Sequence, residues 1–246
     1  MSNTLIIIPS RMKAQRLPGK PLLKINGLSI ISHVVKRAKE TQIGEVIVAT
    51  EDDEIIEDVK KNNGEAILTS KGHKSGTDRI WEAYKKLNIK NIEFIINLQG
   101  DEPLINLEDI RNLDFITKQN TSKITTLASK IDSEDILLNK NIVKAQTEGD
   151  LEENKSSKAI DFFRKKEGIE KKNIYHHIGI YEYEVSTLET FSKLEQTENE
   201  IKNKLEQLRA LDNNIDIDVI MAKNKGIGVD TEEDYIELKK IMEYKN

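Results

Sequence analysis

Four cations, Arg11, Lys13, Arg16 and Lys20, fall within ten residues near the start of the chain, with no acid among them. They follow an apolar stretch, Leu5 to Ile8, and the last is set in Pro18-Gly19-Lys20-Pro21. Arginine and lysine pair with phosphate oxygens, and a turn with exposed backbone N–H groups adds further donors. The prolines restrict the backbone around Lys20, a constraint that a merely solvated loop does not need. The segment therefore reads as a cradle for a polyphosphate.

Two acidic spots complement it. Asn97-Leu98-Gln99-Gly100-Asp101-Glu102-Pro103 sets Asp101 just beyond an apolar run, with Gly100 permitting close backbone approach. Gly228-Val229-Asp230-Thr231-Glu232-Glu233-Asp234 sets Asp230 before a helical pattern. Taken alone, Asp230 reads as a helix cap, with Glu233 completing a capping box. Paired with Asp101 it reads as a metal ligand, because Mg2+ takes one or two carboxylates together with phosphate oxygens and water. Asp101 and Asp230 are the expected Mg2+ ligands.

Composition limits the partners and the compartment. The chain has 246 residues, 37% of them hydrophobic and 33% charged, enough for one large domain or a domain with a small subdomain. A net charge of −5 argues against nucleic acid as a partner, since the cationic cluster is local. The absence of cysteine excludes disulfides, thiolate metal sites and cysteine nucleophiles. Leu5 to Ile8 is too short for a signal segment, and no apolar run has membrane-spanning length, which leads to the expectation of a cytoplasmic enzyme with no membrane insertion.

Positioning falls to alternating β-branched runs and amphipathic stretches, the pattern of an α/β fold whose mostly parallel sheet carries helices on both faces. Strands are expected at Thr4 to Ile8, Glu45 to Ala49, Ala66 to Leu68 and Phe94 to Leu98, with helices starting near Ser29, Asp53 and Thr77. Asp53 is the expected cap of Glu54 to Asn62, and Gly64 its left-handed stop. Thr77 is the expected cap of the next helix. Ligands of such sheets sit beyond the carboxyl ends of the strands, where the cationic loop and Gln99-Gly100-Asp101 both emerge. About residues 125–195 form a smaller α+β subdomain within a single 1–246 domain, containing strands at Thr125 to Ile131 and Ile174 to Tyr183 and a turn at Glu148-Gly149-Asp150. Leu188 to Leu211 reads as one charged helix with a leucine stripe, followed by a strand at Ile215 to Met221 and a helix at Asp234 to Met242.

Six motifs in order now carry a resemblance. They are Pro9-Ser10-Arg11 with Arg16-Leu17-Pro18-Gly19-Lys20-Pro21-Leu22, then His73-Lys74-Ser75-Gly76-Thr77-Asp78-Arg79, then Asn97 to Pro103. His177-Ile178-Gly179-Ile180-Tyr181, Leu205-Glu206-Gln207-Leu208-Arg209 and Gly228-Val229-Asp230-Thr231 complete the set. Nearly end to end, the chain resembles the 3-deoxy-manno-octulosonate cytidylyltransferases, a family of sugar-acid cytidylyltransferases. The resemblance implies a Rossmann-like nucleotide-diphospho-sugar transferase fold and CTP and the eight-carbon sugar acid Kdo as substrates. It further implies CMP-Kdo and diphosphate as products, a role in lipopolysaccharide biosynthesis, and a homodimer. It assigns Arg11, Arg16 and Lys20 to the triphosphate, with Lys20 near the α-phosphate, and makes Lys20, Asp101 and Asp230 the catalytic set. Pro9, Ser10, Ser75 and Arg79 fall to the nucleotide; Lys13 matches no position with a role. Gln99, Arg164, His177, Glu206 and Gln207 fall to the sugar acid. Ile178, Ile180 and Tyr181 are the expected dimer contacts.

The chain departs from the family pattern at Asp161-Phe162-Phe163-Arg164-Lys165-Lys166-Glu167-Gly168, where Phe163 replaces a small hydroxyl residue but Arg164 is kept. This leaves 8-amino-Kdo and sialic acid as alternative acceptors. A non-catalytic nucleotide-sugar binding protein has little use for Asp101 and Asp230 together. A glycosyltransferase would show Asp-x-Asp directly after a strand, whereas Asp216-Ile217-Asp218 falls within one.

Overall fold

The computed structural model describes residues 3–13, 16–120, 122–165, 172–226 and 228–244. Ala14 and Gln15 of the cationic loop, and Lys166, Glu167 and Gly168 of the departing stretch, lie outside the described residues. The chain forms two compact units, Met1–Leu107 with Gly226–Asn246, and Glu108–Lys225. The second is wider than the 125–195 expected from sequence, because a strand at 217–221 pairs in parallel with one at 124–129 and draws the limits outward.

The first unit opens with β1 (Thr4–Ser10), the short hairpin β2 (Lys24–Ile25) and β3 (Leu28–Ser29), and α1 (Ile30–Glu40). It continues through β4 (Glu45–Thr50), α2 (Asp53–Lys61), β5 (Glu65–Leu68), α3 (Gly76–Leu87) and β6 (Phe94–Asn97). The order β5-β4-β1-β6 is parallel throughout. Leu5, Ile6, Ile7 and Ile8 are all fully buried, as expected of a parallel strand covered on both faces. Helix α1 packs on β1 and β4, α2 on β4 and β5, and α3 on β1, β4 and β5.

Several helix ends differ from expectation for local reasons. Asp52 holds the N-cap position of α2, but its carboxylate accepts the backbone N–H of Met12 at 2.8 Å, which leaves the helix without a side-chain cap. The left-handed residue after α2 is Asn63, with φ 60°, rather than Gly64. Gly64 is needed for space, since a Cβ there would lie 2.6 Å from Val59 Cγ1. Ser75, not Thr77, caps α3 by accepting from Asp78 N at 3.1 Å, and Thr77 is buried inside the first turn.

The second unit holds α4 (Leu107–Thr117), β7 (Ile124–Ser129), α5 (Glu134–Leu138), β8 (Lys144–Thr147), β9 (Ser156–Phe163) and β10 (Ile174–Glu184). It ends with α6 (Val185–Ser192), α7 (Glu198–Asn203), α8 (Leu208–Asp212) and β11 (Ile217–Met221). Its strands run β10-β7-β11-β9-β8, and β8 pairs back to β10, so the pairings form a closed circuit. Only β7 and β11 are parallel within it. The long helix expected over Leu188 to Leu211 is three short ones. Thr197 caps α7 and Lys204 ends it at φ 53°, which lets Leu205 and Leu208 turn inward and become buried. Ile178, Ile180 and Tyr181, expected at a dimer contact, are buried in this unit's own core.

The chain closes with α9 (Glu232–Glu243), which returns to the first unit. Its cap is Thr231, one residue later than expected, with Asp234 completing the capping box. Asp230 is thereby released from capping. Leu238 and Val229 join Ile25 and Ile30 in a small buried cluster that anchors the segment carrying Asp230.

Candidate active site

Because β1, β4 and β6 are parallel and in register, Ser10 beside Thr50 and Ile7 beside Asn97, their carboxyl ends share one edge. The loops that leave this edge meet around a cavity of about 380 Å³ lined by Pro9, Ser10, Arg11, Arg16, Lys20, Ser75, Arg79, Gln99, Asp101 and Asp230. Every residue expected at the catalytic and nucleotide positions therefore borders one cavity, and so does Gln99.

Local geometry explains why these residue types stand there. Gly19, at φ +74°, turns the loop so that its N–H donates to Met12 O at 3.0 Å. A short 3-10 turn, Lys20–Leu22, follows with Pro21 as its second residue, and Lys20 in it is buried. A Cβ on Gly100 would stand 3.1 Å from Pro9 O, so a side chain there would crowd the loop after β6 against the end of β1.

The Lys20 ammonium donates to Asp101 Oδ2 at 2.6 Å and Val229 O at 2.6 Å, and reaches Asp230 Oδ1 at 3.4 Å. Arg16 pairs with the other oxygen of Asp230 at 2.7 Å. Two carboxylates and a carbonyl thus converge on the ammonium, and hard oxygen donors of this kind fit a Mg2+ ion. Among the described residues no group of three or more His, Cys, Asp or Glu is arranged to hold a metal. An ion held by Asp101 and Asp230 would complete its shell with phosphate oxygens and water.

Sequence reasoning missed Glu102. Burial, and then the charges of Asp101 and Asp230, push its carboxyl up to about 8, and its Oε2 is buried without a hydrogen-bond partner. The signal was its place directly after Asp101. His73 also lines the cavity and contacts Glu82. Burial pushes Glu82 up, but bonds from Lys86, His73 and Ser70 outweigh it and bring the carboxyl down to about 2.

Two cavity residues have further duties. Arg79 is buried, its guanidinium donating to Thr69 Oγ1 at 2.5 Å and to Glu51 at 2.6 Å. It braces the loops after β4 and β5 more than it offers charge to a ligand. The Ser75 hydroxyl accepts the cap bond and keeps its proton for another acceptor.

The remaining sugar-acid candidates lie in the second unit. Phe162 meets His177 edge to face with centroids 5.1 Å apart, and His177 lies tilted against Tyr181 at 5.5 Å. Burial, then the charges of Tyr183 and Glu206, hold the Tyr181 phenol well up, which places Glu206 in the same cluster. Gln207 stands at the start of α8 beside buried Arg209, which grips Glu200 through two bonds of 2.6 and 2.7 Å. Glu206 and Gln207 are half-buried rather than a solvated face. Arg164 Nη1 donates to Asn141 O at 2.9 Å. Phe163, the departing residue, is buried in β9. Asp218 accepts from Asn120 and Ser122, and Asp216 pairs with Lys158, so the Asp-x-Asp spacing serves the sheet.

His177 is neutral in the folded protein. Burial, then the charge of His176, brings its pKa down to about 3. Thr126 Oγ1 lies 2.8 Å from Ile180 O, 3.3 Å from Ile178 O and 3.1 Å from His177 Nε2, so with its own proton given to a carbonyl it accepts from that nitrogen. A depressed folded pKa contributes stability that is present above the unfolded pKa of 6.5 and is lost as pH falls toward about 3. The effect is on the order of 5 kcal/mol. The unfolding free energy of wild type minus that of His177→Gln is therefore expected to shrink between pH 7 and pH 4 in urea titrations. A gap that is flat with pH would show that the imidazole titrates alike in both states.

The family model described as Cytidylyltransferase matches residues 5–217. A 3-deoxy-manno-octulosonate cytidylyltransferase of Thermodesulfovibrio yellowstonii is 44% identical over 241 residues, covering 94% of each chain. One of the same name from Nitrobacter winogradskyi is 41% identical, covering 95% of this chain and 91% of its own. A solved structure described as CMP:2-keto-3-deoxy-manno-octonic acid synthetase complexed with CTP superposes with TM-score 0.89 and 33% identity, covering 100% of both chains. A cytidylyltransferase of Leptospira borgpetersenii, 20% identical with TM-score 0.66, covers 99% of this chain and 88% of its own and shares the fold. On a family model that spans most of its length and relatives above 40% identical over nearly all of it, the chain belongs to the cytidylyltransferase family.

Proposed function

We propose that the chain transfers CMP from CTP to 3-deoxy-manno-octulosonate (Kdo), releasing diphosphate. One observation carries the reading: Lys20, Asp101 and Asp230 meet in a cavity that also takes in Pro9, Ser10 and Gln99. A hydroxyl oxygen of the sugar acid bonds to the α-phosphorus. The bond from that phosphorus to the α,β-bridging oxygen breaks, diphosphate leaves with the electron pair, and the hydroxyl proton passes to solvent. Little covalent chemistry falls to the protein, so positioning and charge neutralisation supply the rate.

Arg11 and Arg16 hold the triphosphate, and Lys20 offsets charge at the α-phosphate. Asp101 and Asp230 would hold Mg2+, which when bound supplies Lewis-acid polarisation of phosphate oxygens. Pro9, Ser10 and Ser75 address the nucleotide, and Arg79 positions the loops that do so. Arg164 is the cation for the sugar carboxylate, because His177 is neutral and acts through hydrogen bonds. Gln99, Glu206 and Gln207 address hydroxyls. A place in lipopolysaccharide biosynthesis, a cytoplasmic location and a homodimer belong to the same proposal; among the described residues no helix is long and apolar enough to cross a membrane. An active monomer in sedimentation would exclude the dimer.

The test is diphosphate release with CTP, Mg2+ and Kdo, repeated with ATP and UTP and with 8-amino-Kdo and sialic acid. Release is expected with CTP and Kdo. Release with ATP or UTP alone, or with none of the sugar acids, overturns the reading, and preference for another acid reassigns the acceptor.

A further inference from the structure

Lys144, in β8, is fully buried, a costly place for a charge. Its Nζ donates to Asn139 O at 2.6 Å, Ile142 O at 3.0 Å and Arg164 O at 2.6 Å. Two of these acceptors lie between α5 and β8; the third lies at the end of β9. The guanidinium of Arg164 rests on the same loop, donating to Asn141 O. The ammonium thus fixes both the backbone that carries Arg164 and the loop against which its side chain lies.

Filling space does not explain the charge, because methionine has nearly the same length and none of the desolvation cost. Burial, and then the nearby charge of Arg164, pull the Lys144 pKa down, yet the three carbonyl dipoles all favour the ammonium. With its three N–H bonds already engaged, Nζ has none left for substrate, so a direct role in binding or chemistry is excluded. What it supplies is direction, namely three fixed bonds at the root of one arginine.

We propose that Lys144 is a positioning residue for the sugar-acid site, its three-carbonyl clamp presetting Arg164 for the substrate carboxylate. This rests on the reading of Arg164 given above. Steady-state kinetics of Lys144→Met, Arg164→Ala and the double variant, with Kdo and CTP varied separately, test it. Each single variant is expected to raise the KM for Kdo by about tenfold to a hundredfold, the effect of losing or misplacing one charged hydrogen bond. The KM for CTP stays within about twofold, and Lys144→Met adds little once Arg164 is gone, as coupled positions do. Arg164→Ala without effect on the KM for Kdo overturns the Arg164 reading and the proposal with it. An effective Arg164→Ala beside a silent Lys144→Met overturns the proposal alone, as do equal rises in both KM values or full additivity. If Lys144→Met does not fold, Lys144→Gln, which keeps two donors, is expected to give an intermediate KM for Kdo; an unchanged one counts against the clamp.

Discussion

Asp101→Asn and Asp230→Asn are each expected to lower turnover by about a thousandfold or more, the scale of losing a metal-centred charge from phosphoryl chemistry. Asparagine keeps the shape and one acceptor oxygen but removes the formal charge that a hard cation requires. The fold should survive. The Asp101 and Asp230 side chains are 27% and 53% exposed, and the buried Lys20 ammonium keeps Val229 O and the remaining aspartate when either carboxylate is replaced. Either change also removes a negative charge from beside Glu102, whose carboxyl is raised partly by those two neighbours. Initial rates of diphosphate release across a Mg2+ series, with thermal melts by circular dichroism, make the check. Near-normal Mg2+-dependent activity in both variants would sink the metal assignment.

Lys20→Met is expected to act in two opposite directions. The kcat falls by about a hundredfold to a thousandfold, the usual effect of removing one preorganised donor from developing charge. Divalent-ion binding in the absence of nucleotide becomes tighter, because the ammonium now bonded to Asp101 Oδ2 and near Asp230 Oδ1 no longer competes for those oxygens. Counting free Mn2+ by electron paramagnetic resonance reads the second effect independently of turnover. Binding that is unchanged or weaker would mean that Lys20 does not occupy the carboxylates in solution. Loss of rate without that gain would leave Lys20 a phosphate ligand only.

The parallel strands were legible because strands covered on both faces must be apolar throughout, as Leu5 to Ile8 are. Part of the candidate site was legible for a related reason: cations and acids in loops after such strands are brought to one edge by register, whereas Asp230 is held by the packing of Val229 and Leu238 on Ile25 and Ile30. What sequence reasoning lost depended on side chains serving distant neighbours. Asp52 left its helix cap to hold Met12, a residue 40 positions away. Glu102 drew no notice because its burial, and the charge of Asp230 far along the chain, are set by the fold. Ile178, Ile180 and Tyr181 looked like interface residues since an apolar run does not reveal which surface covers it. The break of the 188–211 stretch turned on Lys204 in a left-handed conformation, which lysine rarely adopts and composition does not signal.

The contact of Gly100 with Pro9 has a consequence for anyone wishing to redesign this enzyme. A Cβ at Gly100 would press on Pro9 O at 3.1 Å and on Ile31 Cδ1 at 3.2 Å, so the end of β1 at Pro9 and the loop that carries Asp101 share one close seam. Reshaping Pro9 and Ser10 to admit a different base therefore moves the acid as well. The same proline faces the start of α3, where a Cβ at Gly76 would lie 3.4 Å from Pro9 Cγ, so the segment carrying Ser75 is drawn into that packing too.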